Sequence, residues 1–102
     1  MIARHWRGWT APQNADAYEA FLKSKILPAL QRIEGYRGGY VLRRDASDES
    51  EFVVINFFES VEAVKRFAGP DHSVAVFEPE ALALLSRREL TASHYSVVAS
   101  TP

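Results

Sequence analysis

The nine residues Glu51-Phe-Val-Val-Ile-Asn-Phe-Phe-Glu59 constrain this chain more than any other stretch. They contain no Gly and no Pro, and they are short and rich in β-branched and aromatic residues, so they read as a strand. Alternation along a strand puts Phe52, Val54 and Phe58 on one face and Val53, Ile55 and Phe57 on the other. Both faces are therefore apolar. Burying one such side chain is worth about 1.5–3 kcal/mol. Leaving three of them wet would forgo roughly 5–9 kcal/mol, comparable with the whole stability of a small domain. Both faces need a cover, and 102 residues are few for two covering layers. One polar residue, Asn56, interrupts the run on the face of Val54 and Phe58.

The length fits one domain, read as residues 1–99 with 100–102 as a frayed tail. A hydrophobic fraction of 47% and a charged fraction of 25% are those of an ordinary globular protein. A net charge of −1 gives no basic surface for nucleic acid or anionic lipid. The absence of cysteine removes disulfides, thiolate nucleophiles and cysteine-ligated metal centres. No stretch approaches the roughly 18 apolar residues of a membrane span. The start, Met1-Ile-Ala-Arg-His-Trp6, lacks a signal-peptide pattern, and the expectation is a cytoplasmic protein without a membrane partner.

Ile2 to Trp9 reads as a first strand, with Ile2, Arg4, Trp6 and Gly8 on one face and Ala3, His5, Arg7 and Trp9 on the other. Asn14 or Asp16 is placed to cap a helix running to about Arg32, with an apolar stripe from Tyr18 through Phe21, Leu22 and Ile26 to Leu30 and Ile33. Pro28 should kink that helix, and Gly35 should end it. Tyr36 to Arg44 reads as a second strand, in which Gly38-Gly39 predicts a bulge or a close backbone approach. The polar turn Asp45–Ser50 joins it to the third strand as a hairpin. Ser60 caps a helix from Val61 to Ala68, stopped by Gly69-Pro70. A turn begun by Asp71 is expected to run through Phe77, followed by a helix from Glu80 to Ser86 with Pro79 at its first position. Leu90 to Val98 reads as a fourth strand.

The order β-α-β-β-α-β predicts an α+β fold: a ferredoxin-like antiparallel sheet with helices on one face. The helices cover one side of the third strand. A second copy of the same sheet is the economical cover for the other, which predicts a homodimer.

The chain resembles the antibiotic biosynthesis monooxygenase family of the dimeric α+β barrel superfamily. The resemblance lies in the element order, the length, the segment Phe57-Phe-Glu-Ser-Val-Glu-Ala-Val-Lys-Arg-Phe-Ala68, its aromatic-x-Ser element Phe58-Glu59-Ser60, and the closing pair His94-Tyr95. It implies a barrel of two sheets with a small-molecule pocket between sheet and helices in each protomer. Members include oxygenases that use neither metal nor flavin on small aromatic or quinol-type substrates, and others that degrade haem. The haem-degrading branch pairs a first-strand Asn with a Trp in the aromatic-x-Ser element and a His on the next helix. Here the first strand carries no Asn, Phe58 stands where the Trp would, and only His72 is near the place of the His.

Each candidate residue carries a chemical and a structural reading. Asn56, as a buried amide, must be satisfied at a cost of about 1–3 kcal/mol otherwise. It could hold a substrate phenol or an oxygen-derived group, or bond a neighbouring side chain. His94, flanked on its face by the small Ala92 and Ser96, suits a general base on a phenol, or a hydrogen-bonded core imidazole. Trp6, beside Gly8, could form a flat pocket wall, as could Phe58; both could equally be core. Arg4 could neutralise an anionic group or pair at a sheet edge. His72 could line a pocket rim or start a helix turn, and His5 could lie at a dimer interface. Lys25 projects near the apolar stripe, where snorkelling to water is expected. Glu62 and Arg66 have i,i+4 spacing, and Arg43-Arg44 and Arg87-Arg88 read as solvated. No metal-ligand spacing joins the histidines, so neither metal nor cofactor is expected. The reading is a cofactor-independent monooxygenase of a small aromatic or quinol-type molecule, with Asn56 and His94 catalytic and Arg4, Trp6, Phe58 and His72 binding substrate. The alternative is a non-catalytic homodimer that binds a small hydrophobic ligand.

Overall fold

The computed structural model describes residues 1–75 and 77–102. Strand β1 (Ile2–Thr10) leads through a 3₁₀ turn (Pro12–Asn14) into α1 (Ala15–Phe21), a π-helical turn (Leu22–Ile26) and α2 (Leu27–Gln31). The hairpin β2 (Tyr36–Asp45) and β3 (Ser50–Phe58) follows, then α3 (Val61–Ala68), α4 (Pro79–Leu84), β4 (Leu85–Arg88) and β5 (Ser93–Ser96). The sheet order is β2-β3-β1-β4, antiparallel throughout, with β5 on β1 beside β4. The fold is thus α+β and ferredoxin-like, with the fourth strand divided. Among the described residues no helix is long and apolar enough to cross a membrane.

The two-sided apolar run is β3, and its faces differ sharply. Ser50, Phe52, Val54, Asn56 and Phe58 are buried under the helices, while Glu51, Val53, Ile55 and Phe57 are only half-buried. The inner layer splits into two clusters. One gathers Trp6, Tyr18, Phe21, Leu22, Phe52 and Val54; the other gathers Leu30, Phe58, Ala63, Val64 and Ala68.

Local chemistry explains most element boundaries. Ser60 caps α3 by accepting a hydrogen bond from the Ala63 N–H at 3.2 Å. Gly35 follows α2 at φ +90°, where any Cβ would crowd Ala63. Gly38 at φ +93° makes the predicted bulge, and the register shifts between Tyr36 and Gly39.

At Pro28 the long helix departs from regular α geometry: the Leu27 N–H reaches back to the Leu22 carbonyl, a widened turn that takes in the proline's missing donor at the second position of α2. Other expectations are corrected. Neither Asn14 nor Asp16 caps the helix with its side chain, because the 3₁₀ turn feeds it directly. The Asp71 turn closes at Val74, with the Val74 N–H bonded to the Asp71 carbonyl, after which Val74 bridges Thr91 and Phe77 is not helical; Val76 lies outside the described residues. The helix expected to reach Ser86 stops at Leu84, where the chain turns extended and pairs with Gly8–Thr10 as β4. The expected strand Leu90–Val98 shortens to Ser93–Ser96.

Charged side chains also find other partners. Arg66 donates to the Glu34 carbonyl at 2.9 Å, and it makes no ion pair with Glu62 among the described residues. Arg43 is not merely solvated: it ties β2 to α1 through Asp16 and Glu19 and pairs with Asp45. Arg87 pairs with Glu49 and lies 3.9 Å over the Trp9 ring. Lys25 does reach water, where its Nζ donates to Glu80 at 2.6 Å and ties the π-helical turn to α4.

Candidate functional site

A polar row crosses the otherwise apolar inner face of the sheet. Strand register sets Gly39 opposite Asn56, Asn56 opposite Arg4, and Arg4 opposite His94. Residues directly opposite in antiparallel strands share a face, so these side chains lie in a line running across β2, β3, β1 and β5. Gly39 has no side chain for a reason: a Cβ there would overlap the Asn56 amide oxygen and the Ile55 carbonyl.

Hydrogen bonds fix the row. The Tyr36 hydroxyl donates to Asn56 Oδ1 at 2.9 Å, which leaves the Asn56 NH₂ as a donor. Arg4 Nη1 donates to the His72 carbonyl at 2.5 Å and to His94 Nε2 at 3.1 Å. Because an arginine donates only, His94 Nε2 is the accepting nitrogen and the imidazole is neutral. Burial holds the His94 pKa below its usual value, and the charges of Arg4 and His72 lower it further. The His72 ring packs edge-on against His94, with centroids 4.8 Å apart. Arg4 itself is 7% exposed and lies 5.8 Å from the centroid of the Phe67 ring. Burial lowers its pKa as well, from a range so high that the guanidinium stays charged.

Beside this row, between sheet and helices, lies a cavity of about 590 Å³, its open mouth included. Arg4, Trp6, Val54 and Asn56 form its sheet wall. Tyr18, Phe21, Leu22 and Ile26 face them from the long helix, and Phe67, Phe77 and Ala81 close the remaining sides. The Trp6 ring lies along its strand over Gly8, where a Cβ would overlap it, and its indole N–H donates to the Glu89 carbonyl at 2.7 Å. Burial raises the Tyr18 phenol pKa, so the hydroxyl stays protonated. Among the described residues Glu78 is the only carboxylate lining the cavity, and it is exposed.

The structure therefore brings Arg4, Trp6 and Asn56 to the cavity wall, while His72 and His94 sit behind Arg4 and are not lining residues. Phe58, expected as a pocket wall, is elsewhere: it is fully buried in the second cluster, edge-on to Tyr36 and stacked on Phe67. Alternation gave its face correctly but not which helix covers it. Tyr36 was not singled out from the sequence, since only the bulge at Gly38-Gly39 brings its hydroxyl to Asn56. Tyr18 and Phe21 were legible only as part of a helical stripe. Among the described residues no three His, Asp or Glu side chains cluster to hold a metal ion.

Comparison with known proteins bears on this geometry. Residues 1–79 match the model of the family described as antibiotic biosynthesis monooxygenase. That span holds Arg4, Trp6, Asn56 and His72 but not His94. No curated protein matches the sequence. Among solved structures, a protein from Nitrosomonas europaea assigned as an antibiotic biosynthesis monooxygenase superimposes with a TM-score of 0.74 at 12% identity, covering 97% of this chain and 100% of that one. A Deinococcus radiodurans protein with the same assignment gives 0.70 at 14% identity, over 100% and 97%. The haem degrader MhuD of Mycobacterium tuberculosis, solved with two haems in its active site, gives 0.63 at 17% identity over the full length of both chains. At these identities the superpositions establish the fold, and the family match, spanning more than half of the sequence, decides membership. The chain belongs to the antibiotic biosynthesis monooxygenase family.

Proposed function

We propose that this protein is a cofactor-independent monooxygenase of a small aromatic or quinol-type molecule. The observation that carries the reading is the cavity itself: apolar and aromatic on most sides, with the Asn56 amide and the Arg4 guanidinium converging on one wall. Trp6, Tyr18 and Phe21 sandwich a planar ring. The Asn56 amide holds the ring oxygen as it loses its proton, and the fixed charge of Arg4 on the same wall stabilises the negative charge that develops there. For a phenol oxidised to a quinone, one atom of O₂ enters a ring carbon and the other leaves as water. The substrate supplies all four electrons, so the step requires no external reductant. His94 acts here as a positioning residue and not as the base, because its Nε2 accepts from Arg4. Water at the cavity mouth takes the phenolic proton. The haem reading has less support, because neither His72 nor His94 lines the cavity.

The second part of the proposal is the homodimer. Val53, Ile55 and Phe57 are flanked on the outer face by Tyr40, Leu42 and Tyr95, which are 64%, 49% and 58% exposed. A row of this kind is too large and apolar to be left to water, and a second copy of the same sheet supplies its complement. Light scattering at micromolar concentration should give twice the 11.5 kDa of one chain; a clean monomer would refute it.

Oxygen uptake with 1,4-dihydroxynaphthalene and related quinols tests the chemistry. The expected rate exceeds autoxidation and falls many-fold in Asn56→Ala and Arg4→Met. No uptake above background removes the enzymatic reading and leaves a module that binds its ligand without turning it over.

A further inference from the structure

Arg4 stands apart from the arginines that make ion pairs. Arg7, Arg37, Arg43, Arg44 and Arg87 each pair with a carboxylate near the surface. Arg4, the one buried below the helices, pairs with none among the described residues. A buried cation without a counter-charge is costly and calls for an anion from somewhere. The hydrogen bonds of Arg4 leave room for one. Both of its protein acceptors, the His72 carbonyl and His94 Nε2, meet Nη1. Nε and Nη2 make no hydrogen bond among the described residues. Arg4 lines the cavity, so a ligand held there can reach the guanidinium. The Nε–Nη2 edge presents two parallel N–H donors, the fork that matches a carboxylate.

The neighbouring polar groups agree with this. The Asn56 amide oxygen is taken by Tyr36, so Asn56 offers the cavity its NH₂. The Trp6 indole N–H is taken by Glu89, and the Tyr18 hydroxyl has no acceptor among the described residues. The buried part of the cavity therefore offers hydrogen-bond donors and a positive charge. Its one acceptor of opposite character, Glu78, is exposed and lies near Lys25.

We infer that the ligand of this cavity is an aromatic acid, bound as its anion, with the carboxylate forked on the Nε–Nη2 edge of Arg4, the Asn56 amide left for the oxygen on its ring, and the ring between Trp6 and Tyr18. The inference rests on reading this cavity as the ligand site and narrows the substrate class to planar molecules carrying a carboxylate. Neutral aromatics of the same shape bind less well, because they leave the guanidinium unpaired.

Calorimetric titration of the intact protein under nitrogen, with 2-naphthoate and with the neutral isostere 2-naphthamide, tests it. The acid should bind at least about tenfold more tightly, the scale of one charge-assisted hydrogen bond. In Arg4→Met the two should bind alike, and Arg4→Lys, which keeps the charge but not the fork, should retain part of the preference. Equal affinities in the unsubstituted protein, no binding of either compound, or a preference that survives in folded Arg4→Met would each overturn it. Should Arg4→Met fail to fold, the unsubstituted pair still decides. The titration involves no turnover, so a failure of oxygen uptake leaves it standing; equal binding with oxygen uptake intact removes the acid and leaves the oxygenase.

Discussion

At one end of the layer between sheet and helices, Leu30, Phe58, Ala63 and Val64 have no accessible surface; at the other, Trp6, Tyr18 and Phe21 stand around a cavity. Both ends use the same two strands and the same kinds of residue. The boundary between them is the row Gly39–Asn56–Arg4–His94. On one side of it the inner face of β3 ends in Phe58, which fills its space against Tyr36 and Phe67. On the other, the long helix widens at the π-helical turn, and Leu22 and Ile26 from that turn line the cavity. Widened turns of this kind recur at functional sites. The closed end holds the fold, and the open end gives up packing to make room for a ligand.

The largest effect should come from the closed end. Phe58→Ala should cost about 3–5 kcal/mol, measured by urea denaturation, because a fully buried ring is lost and its neighbours cannot collapse into the space. A loss below about 1 kcal/mol would mean that this end is not packed as described. A matched pair of enlargements sharpens the contrast. Ala63→Leu forces extra volume into the closed cluster and should destabilise by about 1–3 kcal/mol. Ala81→Leu projects into the cavity, so it should cost less and yet abolish binding of 2-naphthoate. Similar stability losses for both would erase the distinction between the ends.

The smallest effect is in the polar row. His94 is neutral when folded and its pKa is lowered from 6.5, first by burial and then by Arg4 and His72. The unfolded chain therefore takes up the proton first as pH falls. Stability from this group is complete above about pH 6.5 and is lost on acidification, with a slope no steeper than about 1.4 kcal/mol per pH unit for one proton. His94→Gln should flatten that part of the profile. An unchanged slope would place the His94 imidazole in water, away from Arg4.

Much of this was legible in the sequence, because period-two alternation is geometry. It placed Arg4 with Trp6 and Asn56 with Phe58 before any partner was known. The Gly38-Gly39 bulge and the Ser60 cap follow from backbone chemistry in the same way. The rest depended on contacts between distant segments. The β1–β5 register that sets His94 beside Arg4 has no local signal. Strand β4 is four residues long and pairs with only one end of β1, and its sequence Leu85-Ser-Arg-Arg88 carries no strand pattern. Glu62 and Arg66 had the right spacing, but Arg66 donates to the Glu34 carbonyl. Phe58 was assigned to the correct face and the wrong role, since alternation does not say which helix lies above a residue.

The chain contains two tryptophans, and they lie on opposite faces of β1: Trp6 lines the cavity and Trp9 faces outward under Arg87. Their two indole N–H signals make the most direct test of where a ligand goes. In a ¹⁵N–¹H correlation spectrum titrated with 2-naphthoate, the Trp6 indole should shift with increasing ligand while the Trp9 indole stays in place. A shift confined to Trp9, or no shift at Trp6 at saturating ligand, would contradict a binding site between the Arg4–Asn56 row and the helices.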